Sequence, residues 1–248
     1  MLKNIKNVID KINRKPLEPR KAYDIWSETY DTENDNLVFK LEEEILDSLF
    51  KKADLSRKLV LDYGCGTGRN WERLLSFHPE KITGCDISPK MLGRLKVKYP
   101  AIDIYVIKKN SSLPLKPNSF DFILSTLVVA QINNLKEVFC EWNRLLKPGG
   151  KILITDLHPT VLSAGGKRTF EKDDRTYEVK NYIHPIEEIK KICGNLNIEV
   201  TGLEERLISE TSIDFYKRKN ALHIYKRFSG MPLVYGMLIE KKDETNKY

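Results

Sequence analysis

The sequence is poor in residues that signal metal or disulfide chemistry. Its four cysteines, Cys65, Cys85, Cys140 and Cys193, lie far apart and none forms a CxxC pair. That spacing argues against a zinc site and a disulfide framework and suits a reducing compartment. The acids around Asp156 and His158 form no convergent set of hard ligands, so no metal is expected. The longest mainly apolar run, Phe122 to Ala130, falls well short of the roughly 20 residues a membrane-spanning helix needs. The first residues, Met1-Leu2-Lys3-Asn4-Ile5-Lys6-Asn7, lack the apolar segment and small-residue cleavage site of a signal peptide, and a cytoplasmic location is expected. There is no internal repeat and no low-complexity tract.

What is present is a soluble-type composition, 41% hydrophobic over 248 residues, enough to bury a core. The 42 basic and 35 acidic residues give a net charge of +7. They are interspersed, which reads as a solvated basic surface before it reads as a nucleic-acid face.

The chain is organised around Leu59-Val60-Leu61-Asp62-Tyr63-Gly64-Cys65-Gly66-Thr67-Gly68-Arg69-Asn70. An apolar strand ends in an acid, alternating glycines make a tight turn, and a helix follows. Strand, turn and helix then repeat. Lys81 to Asp86 reads as the second strand, Ser88-Pro89 as a helix cap with proline at the first position, and strands are expected at about 102–107, 120–127 and 151–155. An apolar stripe from Leu135 to Leu146 predicts a helix stopped by Pro148-Gly149-Gly150. Alternating helices and parallel strands make an α/β, doubly wound sheet with its ligand crevice at the carboxyl ends of the strands. Ahead of it, Leu2 to Ile12 is spaced as a short amphipathic helix, Pro16 and Pro19 read as a linker, and Tyr23 and Tyr30 are candidate ligand-lining residues. After it, a helix from about His184, a strand over 198–203 and a last strand over 232–240 are expected. Between these last two strands lies a long connection, residues 204–231, rich in basic and aromatic residues.

The glycine turn and Asp86 together describe a nucleoside site, because an acid ending the second strand can accept hydrogen bonds from both ribose hydroxyls. The dinucleotide fingerprint GxGxxG fails, since Arg69 stands where its last glycine belongs. The GxGxG form, together with Gly84-Cys85-Asp86-Ile87-Ser88-Pro89-Lys90-Met91-Leu92, Leu113-Pro114-Leu115, Ser119-Phe120-Asp121-Phe122-Ile123 and Leu145-Leu146-Lys147-Pro148-Gly149-Gly150, resembles the S-adenosylmethionine-dependent class I methyltransferases. The likeness is greatest to the ubiquinone/menaquinone-type small-molecule group.

The resemblance implies a Rossmann-like, seven-stranded, mostly parallel sheet with the last strand antiparallel. It also implies S-adenosylmethionine as cofactor. Asp62 and the turn residues Gly64, Cys65, Gly66 and Gly68 would hold the methionine portion, Asp86 the ribose, and Ile87 and Met91 the adenine. In the strand-three loop, where the family commonly has an acid for the adenine amino group, this chain has Asn110-Ser111, whose asparagine carbonyl can still accept that hydrogen bond. Ser125, Thr126 and Leu127 would lie beside the methionine and sulfonium, with Gln131 just beyond. Residues 1–54 are expected to cover the cofactor site and 55–248 to form the methyltransferase domain, with residues 204–231 as a lid over the acceptor.

Methyl transfer needs alignment and desolvation, and a base only where the acceptor must lose a proton. His158 and His184 are the candidates for a base. A small-molecule acceptor is expected, with RNA or protein as the alternative and a non-catalytic binding module behind both. Interleaved basic and aromatic residues also suit stacking and phosphate contact.

Overall fold

The computed structural model describes residues 15–33, 35–107 and 113–243. The expected helix over Leu2 to Ile12, and the candidates Asn110 and Ser111, lie outside the described residues.

The chain enters through helix α1 (Pro19–Trp26), whose proline occupies the first turn. The expectation of a linker through Pro19 is corrected here: a first-turn proline lacks only an N–H that the helix leaves unpaired. Helix α2 (Leu37–Phe50) follows, capped by Asn36, whose Oδ1 accepts from the amides of Val38 at 3.0 Å and Phe39 at 3.3 Å. The alternating core is β1 (Leu59–Tyr63), α3 (Trp71–Ser76), β2 (Lys81–Asp86), α4 (Pro89–Lys98), β3 (Asp103–Val106), β4 (Phe120–Thr126), α5 (Leu135–Leu145) and β5 (Leu146–Leu157). Ser88 caps α4 as expected, its Oγ accepting from the amide of Met91 at 3.1 Å. Helix α5 gives way directly to β5, so Pro148-Gly149-Gly150 lies in the strand, at a register shift opposite Phe120 and Phe122.

Then come α6 (Pro159–Ser163), β6 (Arg168–Lys172), β7 (Arg175–Val179), α7 (Ile186–Asn195), β8 (Ile198–Leu207), α8 (Ile213–Arg218), α9 (Leu222–Phe228) and β9 (Pro232–Lys241). Two further corrections fall here. Strand β8 runs on to Leu207, so the long connection begins at Ile208 and holds two short helices. Strands β6 and β7 form a hairpin that the sequence reading missed. Its turn residues Asp173 and Asp174 have φ of 50° and 56°, both left-handed, the geometry that matches strand twist in a two-residue hairpin.

The main sheet has the order β3-β2-β1-β4-β5-β9-β8. Strands β1 to β5 are parallel, and β9 runs antiparallel to both β5 and β8. This is the expected seven-stranded, mostly parallel sheet with an antiparallel last strand. Apolar clusters fill both faces. One gathers Ile45, Leu46 and Leu49 of α2 with Leu153 and Leu238; the other gathers Val138, Phe139 and Trp142 of α5 with Ile123, Ile152 and Met237. Fully burying such a side chain contributes about 1.5–3 kcal/mol, so both layers anchor the sheet and hold the carboxyl ends of β1, β2 and β4 in fixed relation. Among the described residues, no helix is long and apolar enough to cross a membrane.

Candidate functional site

At the end of β1 the chain turns on three glycines. The amides of Gly64 and Cys65 both donate to the carbonyl of Cys85, at 2.7 and 3.0 Å, tying the turn to β2. Gly64 has φ +78°, and a Cβ there would lie 2.2 Å from Cγ2 of Val128. Gly66 also takes a left-handed φ, +55°, yet a Cβ there would meet nothing within 4 Å. The first glycine is required by packing, and the second keeps backbone open towards empty space, as a ligand cradle does. Gly68 faces α4: a Cβ there would lie 2.3 Å from Cδ1 of Leu95.

Asp86 ends β2 beside this turn and is buried. Its Oδ1 accepts from the Ser88 amide at 2.7 Å and its Oδ2 from the Gly66 amide at 2.8 Å. Burial pushes its carboxyl up to about 6, against the lowering pull of the Ser88, Gly66 and Ile87 amides. Asp62 is also buried and is raised to about 7, again by desolvation first. Its Oδ2 accepts from the Trp71 indole at 2.8 Å, while its Oδ1 has no partner.

The cavity above the turn is lined by Tyr23, Tyr30, Gly64, Cys65, Gly66, Asp86, Ile87, Met91, Thr126 and Leu127, and by Gln131 just beyond. All of these were candidates from sequence. Asp62, Gly68 and Ser125 are not on its wall. Asp62 turns its carboxylate to Trp71, Gly68 packs on α4, and Ser125 is fully buried with an unpartnered hydroxyl, on the opposite side of β4 from Thr126. The sequence reading missed Tyr63, Arg69, Asn70, Ile107 and Val128, which do line the cavity. In the sequence Arg69 only breaks the dinucleotide fingerprint. In the structure it pairs with the buried carboxylate of Glu42 and lies 4.4 Å from the centre of the Phe39 ring. The signal was Glu42 itself, a charge on the apolar face of α2.

The N-terminal segment is bound to this site by two short contacts. Ser88 Oγ donates to Asp24 at 2.6 Å, and Thr67 Oγ1 donates to Asp31 at 2.6 Å. Burial raises the Tyr23 and Tyr30 phenols, so both present neutral hydroxyls.

Leu127, immediately after β4, has φ +58°, an uncommon conformation for a bulky residue. It is held from both sides. Its amide donates to the Thr155 carbonyl at 2.8 Å, and its carbonyl accepts from Arg168 at 3.0 Å. Arg168, from the hairpin, also pairs with buried Asp156 at 2.6 Å and donates to the Tyr23 hydroxyl at 3.2 Å. Leu127 lines a second cavity of about 600 Å³, walled by Trp26, the start of α2, α6, the hairpin and the connection after β8.

Neither histidine candidate faces the first or the second cavity. His158 is buried as the cap of α6: Nδ1 accepts from the Thr160 amide at 3.1 Å and Nε2 is 2.8 Å from Glu205. His184 places Nε2 2.7 Å from the Ile132 carbonyl. The histidine that does line the second cavity is His223. Among the described residues, no group of three or more His, Cys, Asp or Glu side chains is placed to hold a metal.

These features fit a nucleoside ligand. The cradle at Gly66 is open, Asp86 offers a carboxylate beside it, and Ile87 and Met91 give apolar walls. Residues 61–154 match a family model described as a methyltransferase domain. The chain is 27% identical over 225 residues to the biotin biosynthesis bifunctional protein BioHC of Teredinibacter turnerae, covering 83% of this chain and 36% of that protein. It is 30% identical over 145 residues to the demethylmenaquinone methyltransferase of Tropheryma whipplei, covering 57% of this chain and 60% of that one. The chain therefore spans only part of the length of these relatives. An S-adenosylmethionine-dependent methyltransferase structure from Mesorhizobium loti superposes with a TM-score of 0.63 at 17% identity, over 81% of this chain and 98% of that one. The fold is that of class I methyltransferases.

Proposed function

We propose that the protein, whose residues 61–154 match a family model described as a methyltransferase domain, transfers a methyl group from S-adenosylmethionine to a small organic acceptor, releasing S-adenosylhomocysteine, and does so in the cytoplasm. The carrying observation is the pairing of the open Gly66 cradle with buried Asp86 in one cavity. Asp86 would accept from the ribose hydroxyls, Ile87 and Met91 would flank the adenine, and the turn with Thr126 and Leu127 would face the methionine end. Residues 15–54 would close this cavity through Tyr23 and Tyr30.

The cofactor supplies an electrophilic methyl on a sulfonium. The protein's own tasks are alignment and exclusion of water. Leu127 lines both cavities, and the Arg168–Asp156 pair holds its carbonyl and the Tyr23 hydroxyl where the two meet. His158 and His184 are turned to other partners, so the reading assigns neither a proton-transfer step.

A small acceptor is favoured over RNA by the ion pairs of the connection after β8. Lys217 pairs with Asp214 at 3.1 Å, and Arg218 and Lys219 with Asp35 at 2.9 and 3.7 Å. These three cations are already matched by acids and leave less positive charge for a phosphate backbone. Calorimetric titration with S-adenosylhomocysteine is the test. Saturable binding at one site is expected, and its absence would remove the reading.

A further inference from the structure

The second cavity is apolar over most of its wall. Trp26, Leu37, Phe39, Phe215, Ile224 and Phe228 line it together with Leu127, and its volume is within the range that encloses a drug-sized molecule. Three of the charged side chains on its wall already meet an opposite charge, and one does not. Asp35 is met by Arg218 and Lys219, Lys167 by Glu178 at 2.6 Å, and Arg168 by Asp156. Arg227 lies 4.9 Å from the Phe228 ring centre and donates to the Ala164 carbonyl at 2.7 Å. Among the described residues no carboxylate pairs with it.

Resting on the methyltransferase reading, we propose that this cavity is the acceptor site and that its acceptor is an amphipathic anion, an aromatic or acyl body carrying one acidic group that pairs with Arg227. An apolar body satisfies the wall through burial of its surface. A single negative charge matches the one cation of this wall that no carboxylate meets, in a planar geometry suited to carboxylate, sulfonate or phosphate. A cationic or polyhydroxylated acceptor would leave that cation unmatched and bury polar groups against carbon.

The test compares 1-anilinonaphthalene-8-sulfonate with N-phenyl-1-naphthylamine, the same rings without the acid, by fluorescence titration of the full chain. The anionic dye is expected to bind at one site about tenfold more tightly, and laurate should displace it. Arg227→Gln should remove that preference while leaving the neutral dye unchanged, and Arg227→Lys should keep most of it. Equal affinity for the two dyes, or an equal loss for both in Arg227→Gln, overturns the proposal. S-adenosylhomocysteine affinity is measured in parallel and should be the same in all three proteins. If the unaltered protein binds the dye as expected but not S-adenosylhomocysteine, the methyltransferase reading fails while the anion site stands.

Discussion

The two cavities that meet at Leu127 are built in opposite ways. The first is built around short motifs at the ends of neighbouring strands: Gly64 to Gly66 after β1, Asp86 and Ile87 at the end of β2, and Thr126 to Val128 at the end of β4. The second draws on α1, α2, α6, the hairpin and two short helices, spread from Trp26 to Leu233. A site built from local turns needs only the backbone path that its own residues dictate. A site built from separate segments exists only once the sheet has brought them together. The difference suits a division in which one cavity holds a constant ligand and the other a particular one.

The comparison breaks most easily at Asp86. Its carboxylate takes two backbone amides and faces the cradle, so Asp86→Ala should weaken S-adenosylhomocysteine binding roughly a hundredfold or more, consistent with losing charge-assisted hydrogen bonds. Dye binding in the second cavity should be unchanged. Calorimetry beside dye titration reads both. A parallel loss in both cavities would mean that they are one site.

The same motif logic explains what was legible in the sequence. The succession of strands and helices and the pairing of the glycine turn with Asp86 follow from apolar runs, glycines and an acid at fixed places along the chain, while the antiparallel last strand and the cavity residues Ile87, Met91, Thr126 and Leu127 follow from the family resemblance that those motifs carry. What was not legible had other causes. Pro19 opens a helix because a first-turn proline lacks only an unneeded N–H, and the cue resembles that of a linker. The hairpin was written in Arg-Thr-Phe-Glu-Lys, Asp-Asp, Arg-Thr-Tyr-Glu-Val, but its polar outer face hid the alternation. Arg69 and Arg168 look like surface charges until Glu42 and Asp156, each on a buried element, are placed opposite them.

A smaller effect separates the cavities by pH. Asp86 and Asp62 are raised from 3.8 to about 6 and about 7 by burial. A carboxyl whose folded value lies above its unfolded one holds its proton better in the fold. The stability it contributes is therefore present below about 4 and is lost as pH rises through 6 to 7. The ligand-free protein should melt at lower temperature at pH 7.5 than at pH 5. Affinity for S-adenosylhomocysteine should move the other way, rising about tenfold from pH 5 to pH 7 as Asp86 ionises and accepts from the ribose. Melting curves and calorimetry at matched ionic strength check the two slopes. Slopes of the same sign would detach Asp86 from the ligand.

The smallest effect concerns His158, which lies near both cavities in sequence order and lines neither. Its Nδ1 receives the Thr160 amide at the start of α6, so its role is that of a helix cap. His158→Ala should cost about 1 kcal/mol of stability, as other lost caps do. His158→Asn, which supplies another capping oxygen, should recover most of that. Neither change should alter S-adenosylhomocysteine affinity or the dye preference, because Glu205, the partner of Nε2, is also outside both walls. Denaturant melts of the two variants separate a cap from a catalyst. If the Asn variant melts normally and binds both probes normally yet no longer turns over with an acceptor that the unaltered protein methylates, the imidazole acts in the chemistry. In that case α6 must move relative to Leu157 during turnover to bring His158 to the second cavity.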